Sequence, residues 1–169
     1  PDGVQTVSQF GTKYLETEGQ LQSLKVIDAG KTLRDTATTY TTAAQIGTPG
    51  FPFPDHIGNS SHGGADVFNT EMQRPETKRV IAQDDATFTA QTTAFDSYAA
   101  PTTVTKSSSL GFSKTEITTY YHNINLWVIG QVASVKDQGT GLFPSETAYD
   151  PATALPTSWR VAATPVSKT

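Results

Sequence analysis

The sequence has no cysteine. That excludes disulfides, thiolate metal sites and cysteine nucleophiles at once. Charge is sparse as well. Charged residues make up 17% of the chain and the net charge is −4. A nucleic-acid binder carries a basic face, so this balance argues against that class. Long apolar runs are missing too. The most apolar stretch, Leu126 to Val135, is interrupted by Gly130 and Gln131. A membrane-crossing helix needs about 20 apolar residues, so no such span is expected. The chain opens Pro1-Asp2-Gly3, without an initiator Met or a basic-then-apolar leader. A processed product or a piece of a longer polypeptide is the expectation.

Threonine is what the chain has in excess, with 28 of 169 residues, alongside 13 Gly and 10 Pro. Threonine is β-branched and favours strands, while Gly and Pro punctuate them. The order of strand-like runs and turns predicts an all-β chain, an antiparallel meander of hairpins. Val4–Phe10, Leu21–Ile27 and Lys31–Thr42 read as strands, the last two joined by an Asp28-Ala29-Gly30 corner. Arg79–Gln83 turns at Asp84-Asp85 into Thr87–Phe95. Thr102–Ser107, Ser113–Tyr121, Leu126–Lys136, Phe143–Tyr149 and Thr157–Ala162 follow, with Asp137–Gly141 as a strong turn. In this reading Trp127 and Ile129 share a strand face and are buried.

Residues 47–77 differ. The stretch Gly47-Thr48-Pro49-Gly50-Phe51-Pro52-Phe53-Pro54 sustains neither a helix nor a central strand. Three regions are therefore expected within one structural unit: strands over 1–46, an irregular loop over 47–77, and hairpins over 78–169.

Four segments share a core: Thr38-Thr39-Tyr40, Thr92-Thr93-Ala94-Phe95-Asp96, Thr118-Thr119-Tyr120 and Thr147-Ala148-Tyr149-Asp150. Each ends a Thr-rich strand on an aromatic, and Asp96 and Asp150 follow directly. The steps between aromatics are 55, 25 and 29 residues, a spacing suited to an array of hairpins. An aromatic at a strand end covers the next corner. An aspartate after it accepts hydrogen bonds from turn amides. The structural repeat residues are then Tyr40, Phe95, Asp96, Tyr120, Trp127, Tyr149 and Asp150.

The run Thr118-Thr119-Tyr120-Tyr121-His122-Asn123 followed by Leu126–Val135 resembles bacterial Rhs (rearrangement hotspot, YD-repeat) proteins. So do Thr147-Ala148-Tyr149-Asp150 with Ala154-Leu155-Pro156-Thr157, and Ala94-Phe95-Asp96-Ser97-Tyr98 with Pro101–Val104. The likeness spans about Lys78 to Trp159, is faint over 1–46 and is absent over 47–77. It implies a spiralling sheet of hairpins that closes into a shell around a toxin until delivery. The repeats would be container, not catalyst. The family's shell ends in an Asp-Pro-x-Gly element tied to self-cleavage. Here Asp150-Pro151 is followed by Ala152-Thr153, so that cleavage is not carried over. A chain of this length does not enclose a toxin alone, so it would be one piece of a shell.

Other groups of residues offer candidate chemistry. Asp55, His56, His62 and Asp66 offer metal-ligand types without the spacing of a closed site. Ser60-Ser61-His62 places a hydroxyl beside an imidazole, but a nucleophile needs a rigid turn. Glu16, Glu18, Asp84 and Asp85 are carboxylate pairs of the kind glycosidases use, and Asp84-Asp85 reads better as a turn. Trp127, Trp159, Tyr120, Tyr121 and Tyr149 would make a sugar platform only if exposed. Asn59-Ser60-Ser61 is a glycosylation acceptor pattern. The reading adopted is non-enzymatic and without cofactor: a segment of a secreted or cell-surface Rhs-type shell. Its partners would be other segments of a larger polypeptide, copies of itself, or a toxin cargo, and no nucleic acid. The alternatives are a self-assembling fibre subunit joined by strand pairing and a small glycan-binding adhesion domain.

Overall fold

The computed structural model describes residues 3–14, 16–57 and 71–161. It is all-β. Ten strands form one antiparallel sheet: β1 (Val4–Phe10), β2 (Leu21–Asp28), β3 (Lys31–Tyr40), β6 (Glu76–Gln83), β7 (Ala86–Phe95), β8 (Pro101–Ser108), β9 (Ser113–Asn123), β10 (Val128–Asp137), β11 (Ser145–Tyr149) and β12 (Pro156–Val161). A separate two-stranded ribbon, β4 (His56–Ile57) with β5 (Glu71–Met72), lies in the connection between β3 and β6. Sequence order equals spatial order, so the sheet is a pure meander. Among the described residues no helix is long and apolar enough to cross a membrane.

The tight turns explain themselves. Asp28-Ala29-Gly30-Lys31 is a two-residue hairpin turn with φ of 47° at Ala29 and 79° at Gly30. Asp84 and Asp85, with φ of 51° and 59°, close β6 onto β7 in the same way. Left-handed backbone at both central positions matches the twist of the flanking strands, and aspartate tolerates it better than most residues.

The sheet is a single layer. Among the described residues only Phe53, Phe95 and Ala154 are buried hydrophobics. The accessible surface is 11378 Å², against about 8,000 Å² for a compact monomer of this mass. Threonine suits such a sheet, because its methyl packs between neighbours while its hydroxyl finds a cross-strand partner. Thr105 and Thr115 hydroxyls lie 2.9 Å apart, and Thr119 and Ser134 hydroxyls 2.7 Å apart. Ion pairs add a charged strip: Lys106 Nζ donates to Glu116 Oε2 at 2.7 Å, and Lys114 sits 3.0 Å from Glu116 Oε1. These two ammonium groups, Lys106 first, hold the Glu116 carboxyl below the ordinary carboxylate range.

Two expectations need correction. Trp127 is neither in a strand nor buried. It occupies the β9–β10 turn with φ of 55° and is 69% exposed. Strand β10 starts only at Val128, because the polypeptide reverses over Asn123–Val128. The region 47–77 is also not wholly irregular, since it holds β4, β5 and the first residues of β6.

Candidate functional site

Turns alternate between the two ends of the strands. The connections Phe10–Leu21, Tyr40–Glu76, Phe95–Pro101, Asn123–Val128 and Tyr149–Pro156 therefore all lie on one edge. That edge gathers the buried side chains and most of the polar chemistry.

Its turns follow one plan. Asp150 Oδ1 accepts from the amides of Ala152 (2.7 Å) and Thr153 (3.2 Å). Its carbonyl accepts from Ala154 N at 2.8 Å, and Ala154 is left-handed with φ of 57°. Asn123 repeats this: its Oδ1 accepts from Leu126 N at 3.1 Å, and Trp127 takes the left-handed position. Asp96 caps a turn one residue shorter, with Oδ1 accepting from Tyr98 N at 2.8 Å and Ala100 N at 2.9 Å, and Ala99 left-handed. Asp96, Asn123 and Asp150 are spaced by 27 residues each, and a ring residue precedes every one: Phe95, His122 and Tyr149. The ring at this position in the middle corner is thus His122, while Tyr120 lies two residues earlier and donates to Pro101 O at 2.9 Å. On the opposite edge, Asp137 caps its turn the same way, accepting from Gly139 N (2.9 Å) and Thr140 N (3.0 Å). The backbone amides, Thr140 first, hold the Asp137 carboxyl below its ordinary range.

The most enzyme-like arrangement is on this edge. His122 Nε2 lies 2.9 Å from Asp96 Oδ2, and both side chains are 18% exposed. Gly130 N donates to His122 Nδ1 at 3.1 Å. An amide N–H requires a lone pair on Nδ1, so the imidazole proton sits on Nε2 and points at Asp96. The ring is flanked by Tyr98 at 4.5 Å and Tyr120 at 6.2 Å between centroids. Through its two ring nitrogens His122 ties the β7–β8 turn to β9 and β10. Burial, with Asp96 adding to it, raises the Tyr120 phenol above its ordinary value.

Beside it, the chain after β3 docks on the sheet. Phe51, Phe53 and Phe95 meet with centroids 5.4 to 6.3 Å apart, and Phe53 is 1% exposed. Phe95 N donates to Gly50 O at 2.8 Å. Thr41 is buried and both its amide (2.9 Å) and its hydroxyl (3.0 Å) donate to Pro75 O. Gln73 Nε2 donates to Pro54 O at 2.9 Å, and Arg74 pairs with Asp55. Tyr40 donates to Leu21 O at 3.0 Å. Burial first, then Glu76, raises its phenol above the ordinary value.

The remaining candidates separate. Asp55 pairs with Arg74 and lies 3.2 Å from His56 Nδ1. His62, Asp66 and Asn59-Ser60-Ser61 lie outside the described residues. Glu16 pairs with Lys13 at 2.7 Å, and Asp84 and Asp85 form the β6–β7 turn. Tyr121 and Tyr149 stack at 5.1 Å, with Tyr149 donating to Val132 O at 2.9 Å. Trp159 is 76% exposed on β12. An open depression of about 620 Å³ is lined by Gln20, Thr39, Tyr40, Ala44 and Arg74, with Glu16 at its side. The turn-capping role of Asn123 was not read from the sequence, although its 27-residue spacing from Asp96 and Asp150 was there to find it. No family model, curated protein or solved structure matches the chain.

Proposed function

We propose that the chain is a non-enzymatic structural segment of a hairpin-built β-shell of the Rhs type, secreted or at the cell surface, which would enclose and help deliver a toxin. The observation that carries this reading is the ring–Asx corner recurring every 27 residues at Phe95-Asp96, His122-Asn123 and Tyr149-Asp150 on one edge. A repeated corner is how an array keeps hairpins in register while each buries itself only against its neighbours. The single-layer sheet agrees, since so little of it is buried within the chain. The hydrogen bonds of the Asp96, Asn123 and Asp150 corners brace neighbouring hairpins, which favours a wall over a catalyst. The experiment is electron microscopy of the particle that carries this chain, purified from the cells that make it. A hollow shell with enclosed density is expected. A free monomer, or a solid filament, would overturn the reading.

One observation favours a second reading. Trp127 and Trp159 are 69% and 76% exposed, as a sugar-binding surface requires. A glycan array on the wild-type chain and the Trp127→Ala, Trp159→Ala double variant decides it. Binding lost in the double variant supports an adhesion domain, and no binding in either removes it.

A further inference from the structure

Three ring–Asx corners share one edge, and one of them carries a ring that can change charge. The ring positions are Phe95, His122 and Tyr149. A phenyl ring does not titrate and a phenol does so only in alkali, whereas imidazole changes charge near neutrality.

His122 also stands at an irregularity in the ladder. The register steps from Val128 opposite Asn123 to Gln131 opposite Tyr121, so Ile129 and Gly130 of β10 face His122 of β9 across a bulge. Gly130 is left-handed there, with φ of 83°. Its amide donates to His122 Nδ1 at 3.1 Å. The ring thus does for the bulge what a strand carbonyl does elsewhere. On its other side, Nε2 lies 2.9 Å from Asp96 Oδ2.

A second proton on the ring acts on these two bonds in opposite ways. Imidazolium is a donor at both nitrogens and has no lone pair left. Nδ1–H would then face the Gly130 N–H, donor against donor, and that bond is lost. The bond to Asp96 becomes charge-assisted and stronger. The surroundings accommodate a charged ring. Asp96 and Tyr98 come from the β7–β8 turn and Tyr120 from β9 itself, with the phenol rings at 4.5 and 6.2 Å between centroids. From β10 the facing residue is Gly130, which carries no charge. Gly130 is exposed, so its freed amide is taken up by water.

We propose that His122 is a pH-controlled latch: neutral, it holds Gly130 and Asp96 together, and protonated, it keeps Asp96 and lets Gly130 go. Acidification frees the first residues of β10 from β9, while β9 stays fastened to the β7–β8 turn. What is released is the turn over Ile124–Trp127, whose Ile124, Leu126 and Trp127 side chains are exposed and apolar. Asn123 Oδ1 accepts from Leu126 N at 3.1 Å without a titrating group, so the turn itself stays formed. The corner moves as a unit, hinged at the bulge. The latch depends on this corner alone and not on what the sheet assembles into.

The test is nuclear magnetic resonance on the full isotope-labelled chain between about pH 8 and about pH 5. Two quantities are followed: exchange of the Gly130 amide, corrected for the intrinsic pH dependence of exchange, and the ring-carbon shift of His122, assigned by its loss in His122→Gln. Gly130 protection is expected to fall about tenfold, as loss of one hydrogen bond implies, with the same midpoint as the ring. Tyr98 and Ala100, held by Asp96 Oδ1, should keep their protection. In His122→Gln the response of Gly130 should vanish. In His56→Gln, which removes the other imidazole among the described residues, it should remain. Gly130 protection that stays flat through the ring's titration in the wild-type chain would overturn the proposal. So would a response that persists in His122→Gln, or loss of Tyr98 and Ala100 protection in step with Gly130.

Discussion

Replacing Asp96 by alanine removes three hydrogen bonds at once. Its Oδ1 accepts from the amides of Tyr98 and Ala100, and its Oδ2 accepts from His122 Nε2. Hydrogen bonds to a charged group contribute roughly 1.5–3 kcal/mol each when buried. The Asp96 side chain is 18% exposed, so water compensates part of the loss, and the freed turn amides reach solvent. We expect a net cost of about 2–3 kcal/mol. Asp150→Ala loses two turn bonds and no imidazole, so its cost should resemble loss of a helix cap, about 1 kcal/mol. Asp96→Asn keeps the turn acceptor and should fall between the two. Urea denaturation followed by tryptophan fluorescence reads these differences as shifts in midpoint at constant slope. Thermal midpoints should move by roughly 2–4 °C per kcal/mol for a chain of this size. If Asp96→Ala costs no more than Asp150→Ala, the Asp96–His122 tie contributes nothing, and the bracing role assigned to that corner is wrong.

Trp127→Gly should be neutral or stabilising by up to about 1 kcal/mol, because Trp127 is exposed at φ of 55° and glycine adopts that backbone freely; a loss above 2 kcal/mol in urea melts would contradict the turn placement. In Gly50→Ala the new Cβ would lie 2.8 Å from Thr93 O at φ of 88°. Faster proteolysis within residues 41–57, with the sheet's hydrogen exchange unchanged, is expected, and equal proteolysis would refute the docking. His122 should show the Nε2–H tautomer in long-range nitrogen–proton NMR spectra, since Gly130 N donates to Nδ1; an Nδ1–H signature would refute that bond. Glu116 and Asp137 have carboxyls held below their ordinary range. Their contribution is present above the ordinary carboxylate pKa and is lost as pH falls through the depressed values. Urea midpoints should therefore drop on acidification, and less so in Glu116→Gln; a steeper drop in that variant would reverse the sign.

Turn chemistry carried most of the fold's legibility. Asp28-Ala29-Gly30 and Asp84-Asp85 need left-handed backbone between two strand-like runs, and such local demands survive whatever the rest of the chain does. Trp127 failed for the opposite reason. The run Leu126–Val135 is apolar enough to look like one strand, and hydropathy alone does not register that the turn capped by Asn123 takes in its first two residues. Phe51 and Phe53 were hidden as well. A Pro-rich stretch has no periodicity, so nothing local says that its rings seek Phe95, more than forty residues later. Tertiary burial decides that, and it is non-local. The Asp96–His122 tie spans 26 residues and three strands, and it becomes visible only once the hairpins are stacked.

The central claim is that this sheet is one element of a larger wall, continued past β1 and β12 by neighbouring segments. Amide hydrogen exchange in the native assembly, compared with the isolated chain at high dilution, tests it most directly. The account predicts that Val4–Phe10 and Thr157–Val161 become strongly protected in the assembly, while amides of the inner strands exchange alike in both. Edge amides that exchange as freely in the assembly as in the dilute chain would contradict it.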